Sequence, residues 1–359
     1  MTQSIGKNFL IIVTLYRNNM GNILVTGAGG FIGHHLVKRL KAEGHFVRGI
    51  DVKYPEYEKT AADEFWIKDL RWYHNAVASF NGEPFCVRDF DEVYQLAADM
   101  GGIGYITAYL ADIARNNILI NVNMLEAARQ FSVKSYLYTS SACVYNQDKQ
   151  RDANVVPLRE EDAYPALPER GYGWEKLFAE QMCEYYQHDY NLDIRMVRFH
   201  NVYGPLGTYD GGKEKSPAAI CRKVAAAQDG GEIEVWGDGQ ATRSYMFIDD
   251  CVEGLRRLMA SGYQKPLNLG TDELVTVDGL VDIISGIAGK TLTKRHDLSK
   301  PQGVRGRNSD NSLLRQTLGW EPKTLLSDGL VPTYKWIQEQ VLYPEKRYNH
   351  VFDNGEYVL

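Results

Sequence analysis

The sequence predicts an α/β fold, a doubly wound parallel sheet followed by a smaller, mostly helical C-terminal domain, and three observations carry that prediction. Residues 22–33, NILVTGAGGFIG, run from a β-branched stretch into glycines at positions 27, 30 and 33 and on into an apolar helical pattern. The next apolar stretch, 46–50, closes on Asp51. From there to Phe199, short apolar runs alternate with longer helical periodicities, the order of units that builds a parallel sheet with helices on both faces.

Composition sets the frame for these elements. With 44% hydrophobic and 24% charged residues in 359, the chain has the make-up of a globular α/β protein and the length of about two domains. A net charge of −6 offers no electrostatic footprint for nucleic acid or an anionic membrane. The cysteines, Cys86, Cys143, Cys183, Cys221 and Cys251, are odd in number and lack metal-ligand spacing, so the expectation is a reducing cytoplasm with no disulfide framework and no metal. The apolar segment 9–16 is too short to span a bilayer and ends at Arg17 without a small-residue cleavage pattern, which leaves residues 1–19 as an extension ahead of Met20.

In chain order, the first element is the strand 22–26. Gly27, Gly30 and Gly33 then make a turn in which the backbone can approach a pyrophosphate closely, and the helix 31–42 that follows offers unpaired N–H groups and its positive dipole end to the anion. Asp51 falls where a carboxylate would accept from both ribose hydroxyls and repel a 2′-phosphate, so the dinucleotide expected is NAD rather than NADP. This is a Rossmann-type arrangement, with Gly27, Gly30, Phe31, Ile32, Gly33 and Asp51 lining the cofactor. Further strands are expected at 65–68, 92–97, 135–139 and 193–199, and helices at 105–131 and 174–190. After Phe199 the segment HNVYGPLGTYDGGKEKSP is too polar and too rich in glycine and proline for a core and reads as a functional loop. Helical patterns at 218–227, 251–260, 276–288 and 311–318 follow. The expected division is 20–199 for the dinucleotide and 200–345 for the substrate, with approximate boundaries, the second part closing over the carboxyl ends of the strands.

Tyr172 and Lys176 stand four apart in GYGWEKL, on one face of a helix. An ammonium beside the phenol favours the phenolate, which would let Tyr172 act as a general base while hydride leaves to NAD. Ser141, just past the strand in YLYTSSACVY, completes a Ser, Tyr and Lys constellation.

The glycine turn, Asp51, Ser141, Tyr172 and Lys176 together resemble the extended short-chain dehydrogenase/reductases, in their nucleotide-sugar branch, over residues 20 to roughly 340. Within that branch, LAADMGGIGYI, SSACVY, RFHNVYGPLGT, GGKEKSPAAICRK and GVRGRNSDN are most similar to the GDP-mannose 3,5-epimerase family. The resemblance implies tightly held NAD, a GDP-sugar substrate, a homodimer, and epimerisation of GDP-D-mannose at C3 and C5 through a transient 4-ketone. The product would be GDP-L-galactose, with GDP-L-gulose from inversion at C5 alone. It also implies Cys143 as the base for ring carbons, once nearby positive charge favours its thiolate, and Lys215 as the acid on the opposite ring face. Asp69 would lie near the adenine, and Gly101 and Gly102 would let the sugar pass close to the backbone. His200 and Asn201 would open the substrate loop, with Asn201 hydrogen-bonding the sugar or diphosphate. Lys223, Arg243, Arg305 and Arg307 are the cations offered to the diphosphate.

One departure is visible. The branch typically reads GDGxQxR, whereas residues 237–243 read GDGQATR, with Ala241 where the glutamine belongs. Other activities fit less well. A 4,6-dehydratase would carry an acidic pair where Ala142 and Cys143 stand, and a simple 4-epimerase needs no extra thiol and lysine. A silent NAD-binding protein on the same fold would have no use for Tyr172, Lys176 and Ser141.

Overall fold

Seven parallel strands form the main sheet of the computed structural model, which describes residues 20–81 and 89–344 and the short strands 352–353 and 356–357. The segment 9–16, Cys86 and the remainder of the tail after 344 lie outside the described residues. Strand β1 (Asn22–Thr26) leads through the glycine turn into helix α1 (Phe31–Ala42), and β2 (Phe46–Asp51) and β3 (Glu64–Ile67) follow. Next come α2 (Tyr73–Phe80), β4 (Glu92–Gln95), α3 (Ile103–Ala108), α4 (Leu110–Gln130), β5 (Ser135–Ser141), α5 (Tyr172–Tyr190) and β6 (Ile194–Phe199).

Beyond them lie β7 (Asn201–Tyr203), α6 (Ser216–Ala226), β8 (Glu232–Trp236), β9 (Thr242–Phe247), α7 (Ile248–Ala260), β10 (Pro266–Leu269), β11 (Leu274–Thr276), α8 (Val277–Ala288), β12 (Thr293–Asp297), β13 (Gly306–Arg307), α9 (Ser312–Leu318) and α10 (Leu326–Leu342). The final pair, β14 (Phe352–Asp353) and β15 (Glu356–Tyr357), is antiparallel.

The sheet order is β10-β6-β5-β4-β1-β2-β3, every pairing parallel. Helices cover both faces, so most strand side chains are buried, and the two-residue period decides which core each apolar one enters. Ile23 and Val25 of β1 pack with Leu36, Leu40 and Leu255 on one face, while Leu24 packs with Ile120, Met124 and Tyr136 on the other.

Some expected elements differ. The helix expected over 105–131 breaks at Tyr109, whose φ of −122° and ψ of 49° are not helical, giving α3 and α4. Two helices were not anticipated. α2 is eight residues without a side-chain cap, and α10 carries Pro332 inside it, a residue that reads locally as a breaker. β10, four residues opening on a proline, returns to the main sheet beside β6, and α7 packs on the same sheet, so chain beyond residue 199 completes the dinucleotide-binding layer. Within the loop after Phe199, β7 pairs with β9, whose other end pairs with β11 and β13.

Candidate active site

The cofactor cradle forms where β1 turns into α1. Gly27 sits at φ +68°, and a Cβ there would lie 2.8 Å from the Ala97 amide nitrogen. A Cβ at Gly33 would lie 2.1 Å from the Gly27 carbonyl oxygen, so α1 begins in direct contact with the turn. No side chain caps α1 at Gly30, which leaves its first N–H groups free to face an anion. Asp51 receives the Gly29 N–H on Oδ2 (2.9 Å) and the Val52 N–H on Oδ1 (2.7 Å), which fixes its carboxylate at the mouth of the turn. Burial pushes its pKa up, against the pull of those N–H donors. Gly29, Gly30, Phe31, His34, Lys53 and Tyr57 line a cleft here. A glycine turn free of side chains, an uncapped helix start and an anchored carboxylate fit an NAD pyrophosphate and ribose. Asp69, expected at the adenine, is held bidentately by Arg71 (Nη2 to Oδ2, 2.6 Å) at the rim.

The catalytic candidates converge at the carboxyl end of β5. Ser141 caps a short 3-10 turn, its Oγ accepting the Cys143 N–H at 3.2 Å, and its hydroxyl also engages the Tyr172 phenol and the Cys143 thiol. The start of α5 is pressed onto this turn, since a Cβ at Gly173 would lie 2.3 Å from the Cys143 carbonyl oxygen. Lys176, fully buried, donates from Nζ to the Thr139 carbonyl (3.1 Å) and stands 5.6 Å from the centre of the Tyr172 ring.

The phenolate expected from that neighbour is not the resting state. Burial, with Glu175 adding to it, pushes the Tyr172 phenol well above its usual pKa, and burial also lowers Lys176. The same correction applies to Cys143. Arg307 Nη1 lies 3.6 Å from its Sγ and favours the thiolate, but burial and then Glu169 outweigh it, and the thiol is pushed up.

Around Cys143 the charge is mostly positive. Arg307 is buried, donates from Nε to Gln150 Oε1 (2.7 Å) and pairs through Nη2 with Glu169. Its register partner across β9 and β13 is Arg243, which donates to the Val304 carbonyl (2.6 Å) and whose pKa is lowered to about 10, by burial first and then by Arg307. Lys215 precedes α6. Its pKa is lowered by burial and its charge favoured by Cys143, and among the described residues no hydrogen bond or ion pair engages its ammonium. Gly102 positions that segment. Its N–H donates to the Lys213 carbonyl (3.0 Å), and a Cβ on it would lie 2.4 Å from the Glu214 carbonyl oxygen, while Gly101 packs on Tyr105.

Other candidates lie outside this cluster. Lys223 donates to the Glu234 carbonyl (2.9 Å), and Arg305 is paired with Asp238 (2.7 Å). Asn201 donates to the Ser244 carbonyl (3.1 Å). His200, with a pKa lowered to about 3 by burial, hydrogen-bonds Asn268 Oδ1 (3.2 Å). Tyr145 donates to that same oxygen (2.5 Å), and burial keeps the imidazole neutral. Ala241 is buried, and Gln240 turns outward toward Asp278 (3.3 Å). Sequence reasoning did not pick out Glu169, Gln150, Glu175 or the amides of α4. Only Glu175 sat beside a motif residue, where the glutamate of YGWEK was readable.

The fold and this site define a nucleotide-dependent enzyme, and the chain belongs to the NAD dependent epimerase/dehydratase family, whose model matches residues 23–270. Within that family its similarity is to GDP-mannose 3,5-epimerases. It is 47% identical over 321 residues to GDP-mannose 3,5-epimerase 1 of Oryza sativa subsp. japonica, covering 89% of this chain and 82% of that one. The figure is 46% for GDP-mannose 3,5-epimerase of Arabidopsis thaliana, with the same coverage. Among solved structures, UDP-glucose 4-epimerase of Thermotoga maritima with UDP-glucose superposes with a TM-score of 0.79 at 26% identity, covering 89% of this chain and 99% of that one.

Proposed function

We propose that this chain epimerises GDP-D-mannose at C3 and C5 through a transient 4-ketone, giving GDP-L-galactose and, where only C5 inverts, GDP-L-gulose. The single observation that carries this reading is the convergence of a buried thiol, Cys143, and an ammonium, Lys215, without a hydrogen-bond or ion-pair partner among the described residues, beside the Ser141, Tyr172 and Lys176 cluster. NAD held by the glycine turn and Asp51 would supply the acceptor for the C4 hydride and the source of its return. Tyr172, once deprotonated to a phenolate that Lys176 stabilises, takes the C4 hydroxyl proton and gives it back when the ketone is reduced, while Ser141 holds that oxygen. With C4 a ketone, the C3 and C5 hydrogens become acidic. Cys143, first deprotonated to a thiolate that Arg307 stabilises, takes these protons one at a time and passes each to solvent, and Lys215 delivers a proton from the other side of the ring and is reprotonated by solvent before the next. Arg243 and Arg307, adjacent and cationic, suit the diphosphate or the ring oxygens it carries in.

Residues 20–199, completed by α7 and β10, hold the dinucleotide, and the rest of 200–345 holds the sugar nucleotide. The working unit is a homodimer. Trp174, Phe178 and Tyr185 form an exposed stripe on α5, and Ile118 and Leu119 are exposed on neighbouring α4, a face that a second copy would cover. Among the described residues Cys143, Cys183, Cys221 and Cys251 are unpaired and no helix is long and apolar enough to cross a membrane, which suits the cytoplasm. Turnover of GDP-mannose in deuterated water tests the reading. Label at C5 and C3, none at C4, and no accumulated NADH are expected. A product inverted at C4 alone without solvent label would replace it with a 4-epimerase.

A further inference from the structure

Beneath the reacting cluster lies a closed polar network that the roles above do not use. Glu175, in the first turn of α5, is 2% exposed, as is Lys176. Its Oε1 accepts from Asn117 Nδ2 (2.8 Å) and its Oε2 from Asn121 Nδ2 (3.4 Å), two amides one turn apart on α4. Oε1 is also 4.0 Å from Lys176 Nζ. The amides are themselves tied down. Asn117 accepts the Asp99 N–H (2.6 Å) and donates to the Asp99 carbonyl (3.1 Å), and Asn121 accepts from Gln95 Nε2 (3.2 Å). Thr139, whose carbonyl holds Lys176, donates from its hydroxyl to the Gln95 carbonyl (2.9 Å).

Burial pushes the Glu175 carboxyl up to about 7, and the Lys176 ammonium 4.0 Å away and then the Asn117 amide pull it back toward the charged form, so the carboxylate and the ammonium sustain each other. Resting on the hydride-transfer reading above, we infer that Glu175 is a positioning residue that keeps Lys176 cationic in its dry pocket, so that Lys176 can oppose negative charge on the Tyr172 oxygen. The other titratable groups around Lys176 cannot take this part. Tyr138 of β5 and Tyr172 present ring faces, Cys143 and Cys183 are neutral thiols, and Glu180 is committed to Arg198 (2.7 Å). α4 offers amides only, and Asp99 beyond Asn117 faces Lys213.

The test uses the full chain with its NAD and lysine labelled with carbon-13 at Cε, the Lys176 signal being assigned by its loss in Lys176→Arg. In Glu175→Gln, which preserves shape and removes charge, the Lys176 titration should fall by at least one pH unit. The alkaline limb of kcat should fall with it, while KM for GDP-mannose stays within twofold. Glu175→Asp should bring both back toward the unmodified protein. Asn117→Ser, which withdraws one donor and retains the carboxylate, should shift the titration the same way by less, and it decides the matter on the same readout should Glu175→Gln not fold. An unshifted Lys176 titration in the folded, NAD-loaded variant overturns the inference, since a carboxylate that merely satisfied two amides would alter Tm alone. An unmodified protein that leaves GDP-mannose unchanged overturns the substrate reading, and the Lys176 titration still decides this one.

Discussion

Gly102→Ala separates proton transfer at the ring carbons from hydride transfer at C4. Gly102 has φ −67° and ψ 174°, which alanine adopts without strain, so the substitution acts only through its new methyl group. That carbon would lie 2.4 Å from the Glu214 carbonyl oxygen, where ordinary contact begins at 3.4 Å, so the 213–215 segment must retreat by the difference, 1.0 Å. The partner atom is backbone, and Lys215 is the next residue, so the ammonium moves with it. A misplacement of about 1 Å costs a proton-transfer step on the order of 10²-fold, while overpacking at this surface-accessible contact costs about 1–3 kcal/mol of stability. Asp51, Tyr172 and Lys176 lie outside the displaced segment. The assay is a pair of measurements on one sample: the transient NADH absorbance that reports C4 oxidation, and deuterium uptake at C5 and C3. Gly102→Ala should keep the first and lose about 10²-fold in the second. Gly104→Ala is the control, since its Cβ would meet only Trp236 at 3.7 Å. Unchanged deuterium uptake in Gly102→Ala would refute the claim that this contact places Lys215.

The remaining predictions concern the cofactor, the base and the fold. Asp51→Ala should weaken NAD binding in a titration by calorimetry, and the unmodified protein should bind NAD in preference to NADP; equal binding of the two would remove Asp51 from ribose recognition. Tyr172→Phe should bind GDP-mannose with little change yet lose about 10²–10⁴-fold in kcat, and near-normal turnover would take the phenol out of the mechanism. His200 has a folded pKa of about 3 against an ordinary 6.5, so the unfolded chain binds the extra proton between those values. Its contribution to stability is complete above pH 6.5 and is lost as pH falls toward 3, by about 1.4 kcal/mol per pH unit. Thermal melts from pH 7 to 4 should show Tm falling less steeply in His200→Gln than in the unmodified protein, and parallel curves would reject this.

What the sequence made legible is what local pattern encodes. The bounds of α1 follow from an amphipathic stripe between a glycine turn and a basic last turn, and Ser141 and Cys143, like Tyr172 and Lys176, are neighbours by chain geometry alone. The arrival of Arg307 is of another kind. It depends on β13, two residues long, pairing with β9 so that Arg307 meets Arg243 across 64 positions of chain, and no periodicity announces so short a strand. Lys223 and Arg305 looked equivalent to these arginines in sequence, yet they pair with Glu234 and Asp238, whereas Arg307 pairs with Glu169 beside Cys143, and that too is set by packing.

The protonation states show the same divide. Sequence places an ammonium near the Tyr172 phenol and a guanidinium-rich segment downstream of Cys143, and from those neighbours both groups should ionise easily. Burial acts in the opposite sense on every one of them and is the larger effect for Tyr172, Cys143, Lys176 and Lys215 alike. At rest Tyr172 and Cys143 are therefore both neutral, and neither can act as a base until it has lost its own proton. Each of those deprotonations leaves an anion that a cation within reach must oppose, Lys176 beside Tyr172 and Arg307 beside Cys143, so the two transfers are electrostatically tied to two different cations. Removing one cation should then disable one transfer and spare the other, which is why the redox and exchange readouts have to be measured separately in every variant.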